Sequence, residues 1–294
     1  MKEKILVRLN NFFKKIVITA LIFIIPFSVF SEEKKIDLIE TNWSFEGIFG
    51  TFDRSSLQRG YQVYQEVCSG CHSVQHLSYR NLLEKGGPQF SVEEAKAIAS
   101  QFEVEDGPNN DGEMFMRSAR LSDNFVKPYP NVEASTFANG GAYPPDMSVL
   151  AKARTGGANY IYSLLMGYEE APAGFDLDDG VYYNKYMPGN KIKMSEPIID
   201  GIVEYSDGTE TTKAQIARDI TTFLVWASEP HLESQHRMGF KAIIYLIILI
   251  TLVYMSKNKV WSRFNSKKED EDETFDKVEK AITEYEGEDP KTFK

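Results

Sequence analysis

The chain holds only two cysteines, Cys68 and Cys71, in the stretch "EVCSGCHSVQHLSYRNL", and His72 follows directly behind them. Two thiols three positions apart can each add to one of the two vinyl groups on the same edge of a porphyrin. The histidine that follows then lies under the ring and reaches the iron, which is the spacing of c-type haem attachment. Three other chemistries compete for the same residues. A structural zinc needs four ligands, and the remaining histidines, His76, His231 and His236, form no cluster with the cysteines in sequence. A thioredoxin-type dithiol needs a βαβ context, which the following residues do not offer. A disulfide would close a very small loop and leave His72 without a role. The residues therefore point to one haem c, covalently held through Cys68 and Cys71, with His72 as the proximal ligand. His76, one helical turn on, reads as a surface or pocket-edge residue.

The opposite side of the iron decides between electron transfer and catalysis. A methionine there gives a six-coordinate iron of raised potential, whereas an open side admits a substrate. Six methionines separate the motif from the C-terminal apolar run: Met114, Met116, Met147, Met166, Met187 and Met194. Met166 sits on a helical apolar face and reads as core. Met114 and Met116 lie beside an acidic loop. Met187 and Met194 stand in irregular, Pro- and Gly-bearing chain of the kind that brings a side chain to a haem face, and spacing does not choose between them.

Short helices must position these groups. In "SLQRGYQVYQEVC", Leu57, Tyr61, Tyr64 and Val67 recur at helical spacing and lead straight into the motif. "SVEEAKAIASQF" opens on Ser91 with Glu94 three residues later, the pattern of a capping box. "GANYIYSLLMGY" (157–168) and "KAQIARDITTFLVWAS" (213–228) are further helices. The segments between them, such as "EDGPNNDGEMF", "NGGAYPPDMS" and "YMPGNKIKMSEP", are rich in Gly, Pro, Asn and Asp. So much irregular chain implies a large cofactor that organises it. The fold class is thus mainly α: a single c-type cytochrome domain whose long irregular loops wrap one haem, plus one C-terminal transmembrane helix.

Both ends speak of a membrane. Lys2, Lys4, Arg8, Lys14 and Lys15 precede an apolar run over 16–30, with Val29 and Ser31 placed for cleavage before Glu32. This is a secretory signal peptide over 1–31, and the run of about 15 residues is short of the roughly 20 that a span needs. Its removal makes a chain of formal charge -10 more acidic still, which disfavours nucleic acid as a partner. Residues 32–236 then form the exported domain. Residues 238–256 read as a transmembrane helix whose one charge is Lys241, with Tyr245, Tyr254 and Trp261 suited to the interfaces. Lys257, Lys259, Arg263, Lys267 and Lys268 follow the span and orient the C-terminus to the cytoplasm. Residues 257–294 are a basic and then acidic tail, read as solvated and poorly ordered. The location this implies is a bacterial cytoplasmic membrane, with the haem domain in the periplasm.

The segments "CSGCHSVQHLSYRNL", "EVEDGPNNDGEMFMR", "LSDNFVKPYPN", "NGGAYPPDMSVLAKARTGG", "YIYSLLMGYEEAPAGF", "YYNKYMPGNKIKMSEPI" and "FLVWASEP", followed by one span, together resemble the cytochrome c1 family. These are the haem-bearing subunits of quinol–cytochrome c oxidoreductase (bc1) complexes. The resemblance implies that Met194, five residues after Pro188–Gly189 and before Pro197, is the second axial ligand, and that Met187 packs near the pocket. It implies that Tyr143 to Asp146 line the haem, with Asn139 and Tyr79–Arg80 close by. One departure is Thr136, where the family commonly has an arginine thought to pair with a propionate; Arg154 or Arg120 would have to serve instead. The acidic tail is also longer than usual. The function implied is electron transfer, without catalysis by this chain itself. The resemblance implies that electrons come from a Rieske iron–sulfur subunit and leave to a c-type cytochrome, in a dimeric complex with cytochrome b. Glu169, Glu170, Asp176, Asp178 and Asp179 are candidates for docking a basic acceptor. A haem subunit of another membrane enzyme, of terminal oxidase or peroxidase type, is the alternative.

Overall fold

The computed structural model describes residues 36–286, with side chains described except at 263–272 and 283–286. The expected signal peptide lies outside the described residues. Asp53 caps helix α1 (Arg54–Val63), its carboxylate accepting from the Ser56 N–H at 3.2 Å. The helix continues as one π-helical turn, Tyr64–Cys68, closed by the Ser69 N–H on the Tyr64 carbonyl. A 3₁₀ turn (Tyr79–Leu83) and helix α2 (Val92–Ser100) follow. The capping box of α2 is formed as the sequence predicts: Ser91 N–H donates to Glu94, and Glu94 N–H donates to the Ser91 hydroxyl.

Next come strands β1 (Glu103–Asp106) and β2 (Phe115–Ser118), paired antiparallel with Glu103 opposite Ser118. The segment that reads as irregular in sequence is therefore the loop of a β-hairpin. Its strands are short and largely exposed, and tertiary ion pairs brace them: Arg117 binds both Asp106 and Asp123. Helices α3 (Val132–Ala138), α4 (Leu150–Ala153) and α5 (Gly157–Met166) lead to a second small hairpin, β3 (Tyr182–Tyr183) with β4 (Lys191–Ile192). Helix α6 (Lys213–Ser228) and helix α7 (Leu232–Glu286) complete the chain. The architecture is mainly helical, in line with the sequence.

Helices α1 and α6 form the centre of the core. Their close crossing depends on Gly60, where a Cβ would lie 2.1 Å from the Asp219 carbonyl oxygen and 2.7 Å from the Phe223 Cβ. An aromatic cluster surrounds the crossing. Tyr64 stacks on Phe223 at 5.6 Å, Tyr79 on Phe125 at 4.7 Å, and Phe223 tilts against Trp226. Each such side chain contributes roughly 1.5–3 kcal/mol on full burial. One charged group shares this interior. Asp219 is fully buried and accepts from the Ser56 hydroxyl, the Gln215 amide and the Nε and Nη2 edge of the Arg59 guanidinium, at 2.7–3.1 Å. With every lone pair engaged, the buried carboxylate is tolerated.

Helix α7 carries an apolar stretch, Leu232–Ser262, that is long and apolar enough to cross a membrane and has no buried residues in its most apolar window. Its first turn is anchored in the domain by Glu233, whose two carboxylate oxygens both accept from Arg54 Nη2 at 2.7 Å and one of which also accepts from the Phe52 N–H at 2.9 Å. The C-terminal segment, read from composition as poorly ordered, is helical as far as Glu286. Its described side chains at 273–282 are exposed. Closely spaced acids and bases allow this, as in the Lys277–Glu273 pair one turn apart at 2.8 Å.

Candidate functional site

The π-turn at the end of α1 delivers Cys68 and then reverses the chain: the N–H groups of Cys71 and His72 both donate to the Cys68 carbonyl, at 3.1 and 2.9 Å. Insertion of a single π-turn at a functional site is a recurrent use of that geometry. Here it ends the helix within the motif and swings His72 out of the helical path. Cys68 and Cys71 are not joined to each other in a disulfide. Burial, and then the neighbouring Cys71, push the Cys68 thiol up to about 12. No group of three or more His, Cys, Asp or Glu side chains among the described residues is gathered to hold a metal ion.

His72 is half-buried, and its Nδ1 lies 2.8 Å from the Pro145 carbonyl oxygen. A carbonyl only accepts, so Nδ1 carries the proton and the Nε2 lone pair is left for a metal. Burial lowers the imidazole pKa below its ordinary value, against the opposing effects of the Pro145 hydrogen bond and the Asp146 charge. The ring is thus neutral at physiological pH, as a ligand must be.

Asp146 is what holds the Pro145 carbonyl in that place. Its carboxylate accepts from the Ser73 hydroxyl at 2.7 Å, the Gln75 N–H at 3.0 Å and the Ser148 N–H at 2.9 Å. Burial disfavours its charge, but these hydrogen bonds outweigh that and keep its pKa below the usual value. Met147 N–H on the Ser73 carbonyl (2.8 Å) and His76 N–H on the Ser148 hydroxyl (3.1 Å) complete the strap. Segment 143–148 is in this way sewn onto segment 72–76. His76 is exposed and contributes its backbone to the strap.

The two candidate methionines differ in what surrounds them. Met187 is half-buried, and its sulfur lies 3.7 Å from the Tyr160 hydroxyl, which donates to it. Met194 is also half-buried; Tyr168 donates to its backbone carbonyl at 3.0 Å, and its sulfur accepts no hydrogen bond among the described residues. The loop between them turns at Gly189 (φ 77°) and Asn190 (φ 59°). Asn184, fully buried, ties it to α5 by donating to the Leu164 carbonyl at 2.8 Å while accepting from the Tyr186 N–H. Lys193 Nζ then reaches the Gly140 carbonyl at 3.0 Å, joining the Met194 loop to the segment that continues into the Pro145 strap.

The other methionines are placed elsewhere. Met147 is buried in the core and Met166 packs against it, while Met114 and Met116 are exposed on the first hairpin. Tyr79 is fully buried, stacked between Phe102 and Phe125, and Arg80 is exposed. Asn139 donates to the Ser135 carbonyl at the end of α3. Of the proposed substitutes for an arginine at position 136, Arg154 is exposed and bonds the adjacent Ala153 carbonyl, and Arg120 is exposed near the Asp106–Asp123 cluster.

The residues fit a haem. Beside the motif, Cys71 lines a groove with Lys127–Asn131, Val132, Tyr143 and Pro144. Val132 and Tyr143 in that wall stand 53% and 48% exposed, an uncovered apolar face of the sort a flat macrocycle would cover. The donor set is two thiols and a neutral, oriented imidazole. The resemblance placed Asp146 among the haem-lining residues without its role in holding Pro145, and sequence reasoning had no signal for Tyr160, Asn184 or Lys193, whose partners lie 20 or more residues away.

A Cys-x-x-Cys-His motif of haem c spacing, on a mainly helical domain followed by one long apolar helix, fits a haem protein of the cytochrome type. Residues 43–264 match the Cytochrome C1 family. The chain is similar to "Cytochrome c1-2, heme protein, mitochondrial" of Solanum tuberosum, 47% identical over 77% of this chain and 86% of that protein. It is likewise similar to "Cytochrome b-c1 complex catalytic subunit, mitochondrial" of Candida albicans, 44% identical over 77% of this chain and 78% of that one. A bacterial relative, "Cytochrome b/c1" of Bradyrhizobium diazoefficiens, is 46% identical over 75% of this chain, a match that spans 35% of that longer protein. This chain belongs to the cytochrome c1 family, which implies a haem cofactor.

Proposed function

We propose that this chain is the electron-transferring, haem-bearing subunit of a quinol–cytochrome c oxidoreductase. In this reading Cys68 and Cys71 hold haem c covalently, His72 is the proximal ligand and Met194 the opposite one. Bound there, the haem supplies a one-electron couple whose potential a methionine ligand raises. The chain's own residues do the rest. Asp146 and Pro145 hold His72 in one tautomer, Tyr160 keeps the Met187 sulfur engaged, and Tyr168 with Lys193 orients the Met194 backbone.

One observation carries the ligand assignment: the Met187 sulfur has a hydrogen-bond donor, Tyr160, while the Met194 sulfur has none among the described residues and its loop is tied to the segment that orients His72. The electron comes from a Rieske iron–sulfur subunit beside cytochrome b and leaves to a c-type cytochrome, in a dimeric complex. The names of the Candida and Bradyrhizobium relatives, a cytochrome b-c1 complex subunit and a cytochrome b/c1, support the association with cytochrome b. The chain is not a catalyst alone. An N-terminal signal over 1–31 exports the domain of residues 32–236 to the periplasm of a bacterium, residues 238–256 span the cytoplasmic membrane, and 257–294 remain inside.

Oxidised-state absorption and midpoint potential test the ligand set. Met194→Leu should abolish the long-wavelength sulfur-to-iron charge-transfer band and lower the potential, and Met187→Leu should leave the band in place. The reverse pattern would move the ligand to Met187, and a wild-type spectrum without the band would return the iron to an open or bis-histidine state.

A further inference from the structure

The tight turn just ahead of α1 presents two large apolar side chains to the outside in a manner that the electron-transfer reading does not use. Trp43, Phe45 and Phe52 are buried at 6, 6 and 4% exposure, whereas Ile48 and Phe49 between them stand 74% and 73% exposed. The stems are rigid. Trp43 stacks on Phe45 at 5.5 Å, Phe45 packs on Phe52 at 5.2 Å, and the Thr51 N–H closes on the Ser44 carbonyl at 2.9 Å. The tip is a built turn, with the Gly50 N–H on the Gly47 carbonyl at 3.1 Å and Gly47 at φ 80°. A Cβ at Gly50 would lie 2.2 Å from the Phe45 carbonyl oxygen, so only glycine closes it. Ile48 and Phe49 are held out by the fold.

What covers them is set by where the turn is tied. Glu233 accepts from Phe52, His236 Nδ1 hydrogen-bonds the Gly50 carbonyl at 3.2 Å, and the Phe49 ring meets Phe240 at 6.2 Å between centroids. All three partners belong to the first turns of α7, and Phe240 lies in its apolar stretch. Phe49 therefore sits at the level where that stretch begins. Glu46, Asp53, Arg237 and Lys241 are exposed around it, polar groups suited to a headgroup layer.

We propose that the Ile48–Phe49 turn is a second membrane contact, a lipid-interface anchor that seats in the boundary between headgroups and acyl chains beside α7. The occupant is lipid, because the exposed pair is continuous with the apolar surface of the helix itself. Two contacts, one on the helix and one on the domain, fix the tilt of the domain over the bilayer where a single helix would leave it free to swing. The proposal rests on α7 lying in the membrane, and its test separates the two.

The experiment places a nitroxide on Ile48→Cys, Phe49→Cys, Ile247→Cys and Asp111→Cys in the haem-loaded chain within its complex, in phosphatidylcholine–phosphatidylglycerol vesicles. Cys68 and Cys71 are then consumed by the haem and do not take label. Power-saturation EPR compares collisions with oxygen, which concentrates in lipid, and with a water-soluble nickel chelate. The labels at 48 and 49 should show an oxygen-to-nickel ratio several-fold above that at Asp111 and approaching that at Ile247. Water-like values at 48 and 49 with a lipid-like Ile247 would overturn the anchor while leaving the span intact. Shielding from both reagents would mean that another protein covers the turn, and would overturn it too. A water-like Ile247 would remove the span and the anchor together.

Discussion

At the scale of the residue, orientation of one imidazole depends on a carboxylate that never touches it. Asp146 binds three donors from segments 73–75 and 148, and thereby holds the Pro145 carbonyl at His72 Nδ1. Hydrogen bonds to a charged acceptor are worth about 1.5–3 kcal/mol each, more than neutral ones. Asp146→Asn keeps the shape, removes the charge and turns one oxygen into a donor facing donors. Thermal unfolding of the haem-loaded protein should show a loss of about 1–3 kcal/mol, and an unchanged melting curve would refute this role. Asp207 gives a pH dependence of definite sign. The Thr209 N–H and then the Arg59 guanidinium hold its carboxyl at about 2, against an ordinary value of 3.8. A depressed carboxylate pKa stabilises fully above the unfolded value and is lost as pH falls through the folded one. Denaturation midpoints between pH 3.8 and about 2 should therefore fall less steeply in Asp207→Asn than in the wild type.

At the scale of the element, the crossing of α1 and α6 sets the platform from which the motif is launched. Alanine is a better helix former than glycine by about 1 kcal/mol, so Gly60→Ala would stabilise an isolated helix. Here the added Cβ would meet the Asp219 carbonyl oxygen at 2.1 Å. That distance forces the helices apart, and overpacking of this kind costs about 1–3 kcal/mol or more. The clash outweighs the propensity, and the chemical-denaturation midpoint should fall. A midpoint that rises would mean that the helices separate freely. The same separation would strip partners from Asp219, whose burial is tolerable only while Arg59, Ser56 and Gln215 surround it.

At the scale of the whole molecule, charge and anchoring govern how the domain would meet a partner. Glu169, Glu170, Asp176, Asp178 and Asp179 are all exposed, and among the described residues only Asp178 of the five has an ion-pair partner, Lys191 at 3.5 Å. An acidic face steers a basic acceptor at a rate that falls with ionic strength. In stopped-flow reduction of a basic c-type cytochrome, neutralising these five residues should lower the association rate about tenfold or more at low salt and flatten its salt dependence. A rate indifferent to both would assign the patch to solvation alone. The helical acidic tail stands beyond the family match, which ends at residue 264.

What is local can be read from the chain alone. "CSGCH" is legible because its chemistry lies within five residues, and the helices at 56–68, 157–168 and 213–228 are legible because apolar spacing repeats every turn. The apolar run before Lys257 and the Ser91–Glu94 box are read in the same way. The first hairpin was hidden because its strands are only four residues long, too short to show a pattern, and are braced by Arg117 of β2 on Asp106 of β1 and on Asp123. The tail's helix was hidden because composition reports solvation and says little about backbone conformation. Packing across the fold is what makes Asp146 orient His72, Tyr160 occupy the Met187 sulfur, Lys193 join the Met194 loop to Gly140, and Gly60 stay bare. Each of these joins residues 27 to 159 positions apart. Such pairs leave no periodic trace in the chain, because loop closure and the shape of the packed core bring them together.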